Sequence, residues 1–132
     1  MILVDTNVLI DLVQDDPVWA AWSQAQLFEA QKQGPLAINA VAYAELVPAF
    51  DDMASLDEFL TLAHISIKEI SRPTAYLAGT AFLRYRKRKG TKTGVLPDFF
   101  IGAQAQTEGW PILTRDRARY QSYFPAVKLI CP

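Results

Sequence analysis

The chain has 132 residues, of which 51% are hydrophobic and 20% are charged. This composition is typical of a folded chain rather than a disordered one, and the length fits a single domain over residues 1–132. The net charge of −1 does not indicate a general nucleic-acid binder, so any contact with a polyanion must come from a local basic patch.

The cysteine content and the first residues indicate the cellular compartment in which the chain is expected. The single cysteine, Cys131, cannot form an internal disulfide or a cysteine metal cluster, which favours a reducing, cytoplasmic setting. Asp5 interrupts the apolar start of the chain, and no basic segment precedes a long apolar run. The sequence therefore predicts neither a signal peptide nor a membrane span.

The first half of the chain alternates short apolar runs with helical stretches. A strand at Ile2–Val4 is followed by a helix over residues 17–33, with Pro17 in its first turn and Gly34 at its end. A second strand over residues 36–38 leads to Asn39, the predicted N-cap of a helix that continues to residue 50. A helix over residues 55–63 and a strand over residues 65–70 follow.

The second half continues the alternation. Ser71 opens a long helix that extends to about residue 89, and Gly90 ends it. Another helix begins at Leu96 and ends at Gly109, and the last strands cover residues 111–114 and 127–130. Apolar strands that alternate with helices predict an α/β fold of three layers, with a short central parallel sheet and helices on both faces.

Four acidic residues fall where ligands bind in such folds, outside the carboxyl ends of the strands. Asp5 directly follows the first strand, and Asp116 lies two residues after the strand that ends at Thr114. Glu45 lies in the helix after the second strand, and Asp98 lies in the first turn of its helix. All four are therefore predicted to face one edge of the sheet.

Each acid also has an ordinary interpretation. Asp5 would be a helix N-cap, Asp98 would complement a helix dipole, and Asp116 and Glu45 would be turn and surface residues. The combination argues against this, because Glu45 lies in an apolar stretch and Asp98 is the charged end of an apolar helix. Burying carboxylates without a cation is costly.

Clustered carboxylates repel one another at neutral pH, and a divalent cation relieves the repulsion. Magnesium or manganese binds a few carboxylates, retains waters, and lowers the pKa of a bound water that can attack a phosphodiester. Histidine is not needed for this chemistry, and His64 is interpreted as structural or exposed. The four acids thus predict a magnesium or manganese site for phosphodiester hydrolysis.

Four short motifs resemble those of the PIN-domain family, in the same order and across nearly the whole chain. Residues 4–10, VDTNVLI, resemble the opening motif, and residues 44–46, AEL, resemble the second acidic site. Residues 96–103, LPDFFIGA, resemble the third and closely match the VapC toxins of bacterial toxin–antitoxin pairs. Residues 113–116, LTRD, resemble the fourth.

The resemblance implies a magnesium- or manganese-dependent endoribonuclease that cleaves structured RNA such as tRNA or ribosomal RNA. It implies a cognate antitoxin that blocks the site, and a homodimer. The catalytic and metal-binding residues would be Asp5, Glu45, Asp98 and Asp116, supported by Thr6, Asn7 and Thr114. One departure from the family pattern is Gln104, where many members carry histidine, and it leaves the acids intact.

A basic run leads into the third motif and is predicted to contact the RNA backbone. It comprises Arg84, Arg86, Lys87, Arg88, Lys89 and Lys92. The ordinary alternative is that cations in the last turn of a helix complement its dipole. The density of charge exceeds what a dipole requires, and an acidic pocket needs a positive region to attract a polyanion.

The same residues argue against several other functions. A phosphatase of the haloacid dehalogenase type needs a second aspartate two residues after the first, and Asn7 occupies that position. A non-catalytic PIN-like module would be expected to lack some of the four acids, and a nucleotide-binding fold would need a Gly-rich loop after a strand. DNA as substrate, or a nuclease outside a toxin–antitoxin pair, stays open.

Two helical features also have alternative interpretations. The spacing of Trp19 and Trp22 favours a place in the core, although the pair would also floor a groove for a partner helix. Gly79 interrupts a helical pattern at a cost of about 1 kcal/mol relative to alanine. It is either tolerated there or allows the close approach of another helix, as at a dimer interface.

Overall fold

A parallel sheet forms the centre of the structure, a computed structural model that describes residues 1–88, 90–91 and 95–132. The strands of these residues lie in the order β3-β2-β1-β4-β5. All the strand pairs are parallel. Their bounds are β1 (Ile2–Val4), β2 (Leu36–Asn39), β3 (Ile65–Lys68), β4 (Ile112–Leu113) and β5 (Leu129–Ile130).

Helices flank the sheet on both faces, so the predicted three-layer α/β fold is confirmed. In chain order they are α1 (Thr6–Val13), α2 (Ala20–Gln33), α3 (Ala40–Leu46), α4 (Met53–Leu62), α5 (Arg72–Lys87), α6 (Leu96–Glu108) and α7 (Ala118–Gln121). A 3-10 turn, Val47–Ala49, extends α3. Within the described ranges, the helices are too short or too polar to cross a bilayer.

The strand order reverses beside β1, which creates the crevice where ligands bind in open parallel sheets. The chain proceeds from β1 to β2 and β3 on one side, and then returns to β4 and β5 on the other. The central pair β1 and β4 is aligned with Leu3 opposite Ile112 and Val4 opposite Leu113. Residues that follow β1 and β4 therefore emerge side by side at the carboxyl edge of the sheet.

The sheet and α6 form the core. Leu3, Val4 and Leu113 are at most 1% exposed, as expected for central strands that are covered on both faces. On α6, Gly102 lies against the ring of Phe124, and a Cβ at this position would clash with the ring carbon Cδ2. The glycine therefore permits a close approach that holds the helix of the third motif against the rest of the core.

Three helix ends lie where the sequence predicted them. The Asn39 side chain accepts a hydrogen bond from the Ala42 backbone N–H at 2.9 Å, and Ser71 accepts one from Thr74 at 3.2 Å. Gly109 ends α6 with a φ of 72°, in the left-handed region that glycine adopts without strain. These positions mark the predicted beginnings of α3 and α5 and the predicted end of α6.

Other helix bounds were predicted wrongly. Helix α2 begins at Ala20 rather than residue 17, because the Asp16 carboxylate accepts hydrogen bonds from the N–H groups of Val18 and Trp19 and forms a turn. Helix α3 ends at Leu46 rather than residue 50, since Pro48 lacks an N–H and forces a 3-10 turn.

Further bounds differ by one to three residues. Helix α4 begins at Met53 rather than residue 55, because Asp52 caps it by accepting a hydrogen bond from Ser55 N–H at 2.8 Å. Strand β3 ends at Lys68 rather than residue 70. Strands β4 and β5 each have two residues, fewer than predicted. Helix α5 ends at Lys87, and residue 89, where it was predicted to end, lies outside the described residues.

Candidate active site

Asp5 lies at the end of β1 and is 1% exposed. Its Oδ2 accepts hydrogen bonds from the Thr114 hydroxyl at 2.8 Å and from the Tyr120 hydroxyl at 2.7 Å. Its side chain makes no capping hydrogen bond to α1. Asp5 therefore occupies the N-cap position of α1, as its ordinary interpretation predicts, but does not cap the helix through its side chain. The buried carboxylate is instead held toward the edge of the sheet by groups that follow β4.

Thr114 connects three of the predicted residues. Its hydroxyl donates to Asp5 and accepts hydrogen bonds from the Asp116 backbone N–H at 3.0 Å and from Asn7 Nδ2 at 3.4 Å. Thr114 is completely buried, so this geometry is protected from water. The turn after β4 is thus fixed to Asp5 through one side chain.

Glu45 faces the same region from α3. Thr6, at the start of α1, donates its hydroxyl to Glu45 Oε1 at 3.0 Å. Burial raises the pKa of Glu45, the hydrogen bond from Thr6 lowers it, and the nearby charge of Asp5 raises it further. Glu45 is half-buried, so its interpretation as a fully solvated surface residue is wrong.

Asp98 lies in the first turn of α6, and its side chain is 15% exposed. Burial is the main cause that raises the pKa of Asp98 to about 7, and the negative charges of Asp5, Glu45 and Asp116 act in the same direction. The Arg119 guanidinium opposes the shift. The structure therefore brings the other three predicted acids close enough to Asp98 to disfavour its ionisation.

Arg119 joins the aspartates and was not predicted from the sequence. Its guanidinium makes ion pairs with Asp5 at 3.5 Å, with Asp98 at 3.4 Å and with Asp116 at 3.5 Å. Burial lowers the pKa of Arg119, but the charges of Asp5 and Asp98 raise it more, so the net shift is upward. The sequence held one signal, because Asp116 and Arg119 are three residues apart, the spacing of neighbours on a helical turn.

Tyr120 was also missed. It is fully buried, and its hydroxyl donates to Asp5. Burial raises its pKa well above the ordinary value, and the charges of Asp5 and Asp98 act in the same direction. Tyr120 therefore remains a neutral donor and orients Asp5. A tyrosine on a helix of four residues gives no periodic pattern from which this role could be inferred.

The donor set suits a hard divalent cation. Carboxylate oxygens are the ligands that magnesium and manganese prefer. In the described part of the chain, Asp5 Oδ1 and Asn7 Oδ1 are buried and have no hydrogen-bond partner. No three acidic, histidine or cysteine side chains of those residues stand ready-made around one ion position. Arg119 pairs with the aspartates instead, so a divalent cation would have to replace a positive group already there.

An open cleft of about 470 Å³ adjoins the acids. Asp98, Asp116 and Arg119 line one side, and Tyr85, Phe99 and Tyr123 form an aromatic wall. The rings of Phe99 and Tyr123 lie 5.2 Å apart. A space of this size accommodates a nucleotide-sized group, and aromatic rings are surfaces on which unpaired bases stack.

The basic run reaches this cleft from the end of α5. The guanidinium carbons of Arg84 and Arg88 each lie 5.7 Å from the centre of the Tyr123 ring, within the range of cation–π contacts. Arg86 and Lys87 lie on the same last turn and are exposed. Lys89 and Lys92, the other two predicted members, lie outside the described residues.

Trp19 and Trp22 have different surroundings. Their rings meet edge to face at 5.9 Å, and Trp22 packs against the core as predicted. Trp19 is half-buried and faces the Arg115 guanidinium, whose carbon lies 5.3 Å from the ring centre. Arg115 also lies 3.1 Å from the buried carboxylate of Asp11. A core position thus describes Trp22, whereas Trp19 packs against the partly exposed Arg115 of this ion pair.

Three further residues were interpreted from the sequence: Gln104, His64 and Gly79. Gln104 is buried, accepts a hydrogen bond from Asn39 Nδ2 at 2.9 Å and donates one to the Glu69 carbonyl at 3.1 Å. It therefore links α6 to β2 and to the residues after β3. His64 is exposed in the turn before β3, as expected. A Cβ at Gly79 would meet no atom of the described residues within 4 Å.

Comparisons with known proteins identify the family. The PIN-domain family model matches residues 2–124. Ribonuclease VapC10 of Mycobacterium tuberculosis is 32% identical over 114 residues, which cover 86% of this chain and 81% of the relative.

Solved structures agree on the fold. A structure of VapBC2 from Rickettsia felis bound to a promoter DNA fragment has a chain that superimposes with a TM-score of 0.73 at 18% identity, covering 100% of this chain and 99% of that one. VapBC-1 of Haemophilus influenzae gives 0.73 at 16% identity, covering 99% and 98%. The chain belongs to the PIN-domain family and, within it, to the VapC proteins.

Proposed function

We propose that this chain is a magnesium- or manganese-dependent endoribonuclease and the toxin of a toxin–antitoxin pair. The observation that carries the proposal is the convergence of Asp5, Glu45, Asp98 and Asp116 beside an open, aromatic-walled cleft. The similarity to Ribonuclease VapC10 supports RNA rather than DNA as substrate. Structured RNA such as tRNA or ribosomal RNA fits the cleft where an unpaired loop exposes its bases.

The four acids would hold the cation, and the neighbouring side chains would orient them. When bound, magnesium or manganese supplies an activated water and positive charge for the leaving oxygen. Thr114 and Tyr120 hold Asp5 through hydrogen bonds, and Thr6 holds Glu45. These contacts fix the carboxylates before substrate arrives, so less of the binding energy is needed to order them.

The proposed partners are an antitoxin and a second copy of the chain. The antitoxin rests on the relatives, whose solved structures include toxin–antitoxin complexes. An arginine of the antitoxin would compete with Arg119 for the aspartates. A homodimer is supported by the exposed face of α5, where Tyr76 and Leu83 are 75% and 54% exposed and Gly79 leaves open space between them.

The purified chain should cleave structured RNA only with a divalent cation. Excess chelator is expected to stop cleavage because the carboxylates alone cannot activate water, and added magnesium or manganese is expected to restore it. The measurement is the cleavage of a labelled stem–loop RNA, with a DNA of the same sequence as the control. Full activity in excess chelator would contradict the metal chemistry. Equal cleavage of DNA would contradict the RNA assignment.

We also propose that the basic run binds the RNA backbone at the cleft. Replacing both Arg84 and Arg88 by alanine should weaken RNA binding across sequences, and should lower the slope of log affinity against log salt by about 1.5. Binding is measured in chelator, so that no RNA is cleaved. The matched control replaces Arg72 and Lys128, which are exposed at the start of α5 and at the amino end of β5.

The double alanine variant of Arg72 and Lys128 therefore removes the same charge far from the cleft. It should bind RNA nearly as the unmodified chain does. If the Arg84 and Arg88 variant keeps the original affinity and salt slope, the run has only its ordinary role at the end of a helix.

A further inference from the structure

Arg119 is the charged residue at this site whose place the proposed chemistry does not explain. Its guanidinium pairs with the same three aspartates that are proposed to hold the cation. We propose that Arg119 is an exchangeable counter-ion. It neutralises the aspartates in the metal-free protein, leaves them when a divalent cation binds, and then binds the phosphodiester group of the substrate. The inference rests on the proposed nuclease function and extends it to a residue outside the four acids.

The ion pairs of Arg119 suit exchange. Their N–O distances are 3.4 to 3.5 Å, longer than the roughly 2.7–2.9 Å of charge-assisted hydrogen bonds. The attraction is therefore Coulombic, without a strong directed hydrogen bond that must break. The Arg119 side chain is 31% exposed, so its guanidinium can move into water or into the cleft without crossing the core.

Arg119 also leaves the cluster incompletely satisfied. It contacts Oδ2 of Asp5, the oxygen that already accepts from Thr114 and Tyr120. The other oxygen, Asp5 Oδ1, is buried and lacks a partner among the described residues. A buried carboxylate oxygen without a partner is costly, so Arg119 leaves unmet an oxygen that a divalent cation would bind. A guanidinium and a divalent cation would repel each other among the same aspartates, so binding of one displaces the other.

The cleft gives the displaced guanidinium a destination. Arg119 lines the cleft beside Asp98 and Asp116, where the reacting phosphate must approach the cation. Its planar fork matches two oxygens of a phosphate, and a guanidinium near the reacting group stabilises negative charge. One residue thus prevents mutual repulsion of the acids before the cation arrives and contacts the substrate afterwards.

The first test is manganese binding without RNA, measured by calorimetry. Arg119→Gln removes the competing charge, so it should bind manganese at least about tenfold more tightly than the unmodified chain. Arg117→Gln is the matched control, because Arg117 is exposed on the same turn and its loss changes the net charge equally. The control should change the affinity by less than about threefold, since an exposed charge is screened by water and salt.

The second test separates charge from shape. Arg119→Lys keeps the positive charge but lacks the fork, so its manganese affinity should remain within about threefold of the original. At saturating manganese, both Arg119 variants should raise KM for RNA, because the phosphate contact is lost, whereas Arg117→Gln should not.

The outcomes are distinct. A folded Arg119→Gln variant with unchanged manganese affinity would overturn the exchange and leave the nuclease proposal standing. Failure of the unmodified chain to bind manganese would overturn both. If Arg119→Gln is unfolded without metal, manganese should restore its melting transition. A variant that manganese does not refold, together with an unchanged KM in Arg119→Lys, would assign Arg119 a structural role only.

Discussion

Replacing Asp98 by asparagine should reduce RNA cleavage by at least about a thousandfold while the fold is retained. Asparagine has the shape of aspartate but not its charge, so the site would lose one of the four proposed ligands for the cation and part of the charge proposed to hold it. Asp98 lines the cleft and contacts Arg119, whereas Arg119 keeps Asp5 and Asp116 as partners after the change. Single-turnover cleavage at saturating manganese measures the effect, with circular dichroism to verify the fold.

Two further variants define the origin of this loss. Asp15→Asn is the matched control, because Asp15 is exposed and has a φ of 48°, which asparagine tolerates. It should retain full activity. Asp5→Asn should be as inactive as Asp98→Asn but less stable, since Asp5 accepts hydrogen bonds from Thr114 and Tyr120. Wild-type cleavage rates in Asp98→Asn would refute the proposed role of the acids.

The positions of the acids were predictable because they depend on topology. A parallel sheet brings the ends of its strands to one edge, so an aspartate directly after β1 and another after β4 must approach each other once these strands are neighbours. Glu45 and Asp98 lie on helices, whose directions do not follow from strand ends; their apolar surroundings in the sequence and the motif resemblance pointed to them instead. The contacts of Thr6 and Thr114 agree with the supporting positions that the same motifs implied.

The contacts of α7 could not be predicted in the same way. This helix has four residues, fewer than an isolated helix needs to be stable in water, so tertiary contacts must hold it. Those contacts are the hydrogen bond from Tyr120 to Asp5 and the ion pairs of Arg119. Local sequence pattern carries no information about such distant partners, which explains why Arg119 and Tyr120 were missed.

Asp98 should also make the stability of the metal-free protein depend on pH. Its pKa in the fold is about 7, above the ordinary value of 3.8, chiefly because of burial. Between these two values the unfolded chain has released the proton and the folded chain still holds it, so the free energy of unfolding falls as pH rises. The contribution is fully present below about pH 4 and is lost by about pH 7, the pKa in the fold.

Asparagine at position 98 cannot ionise, so Asp98→Asn should remove this loss of stability at high pH. In chelator at pH 8, Asp98→Asn should be more stable than the unmodified chain by about 1–3 kcal/mol, which corresponds to a rise in Tm of roughly 5 °C. At pH 4 the two should melt within about 1–2 °C of each other, because Asp98 is then still protonated in the folded chain and only about half ionised in the unfolded chain, so little of the pH-dependent loss has occurred. Thermal melting across this pH range measures the difference.

Manganese should act in the opposite direction, since the proposed site would bind it more tightly with all four acids intact, and a ligand that binds more tightly stabilises the fold more. At pH 8 in saturating manganese, the unmodified chain should therefore gain more in Tm than Asp98→Asn. A variant that is less stable than the unmodified chain at pH 8 in chelator would show that Asp98 contributes more through its contact with Arg119 than burial and repulsion cost. The two effects act on the same carboxylate in opposite directions, and the sign of the Tm change decides which is larger.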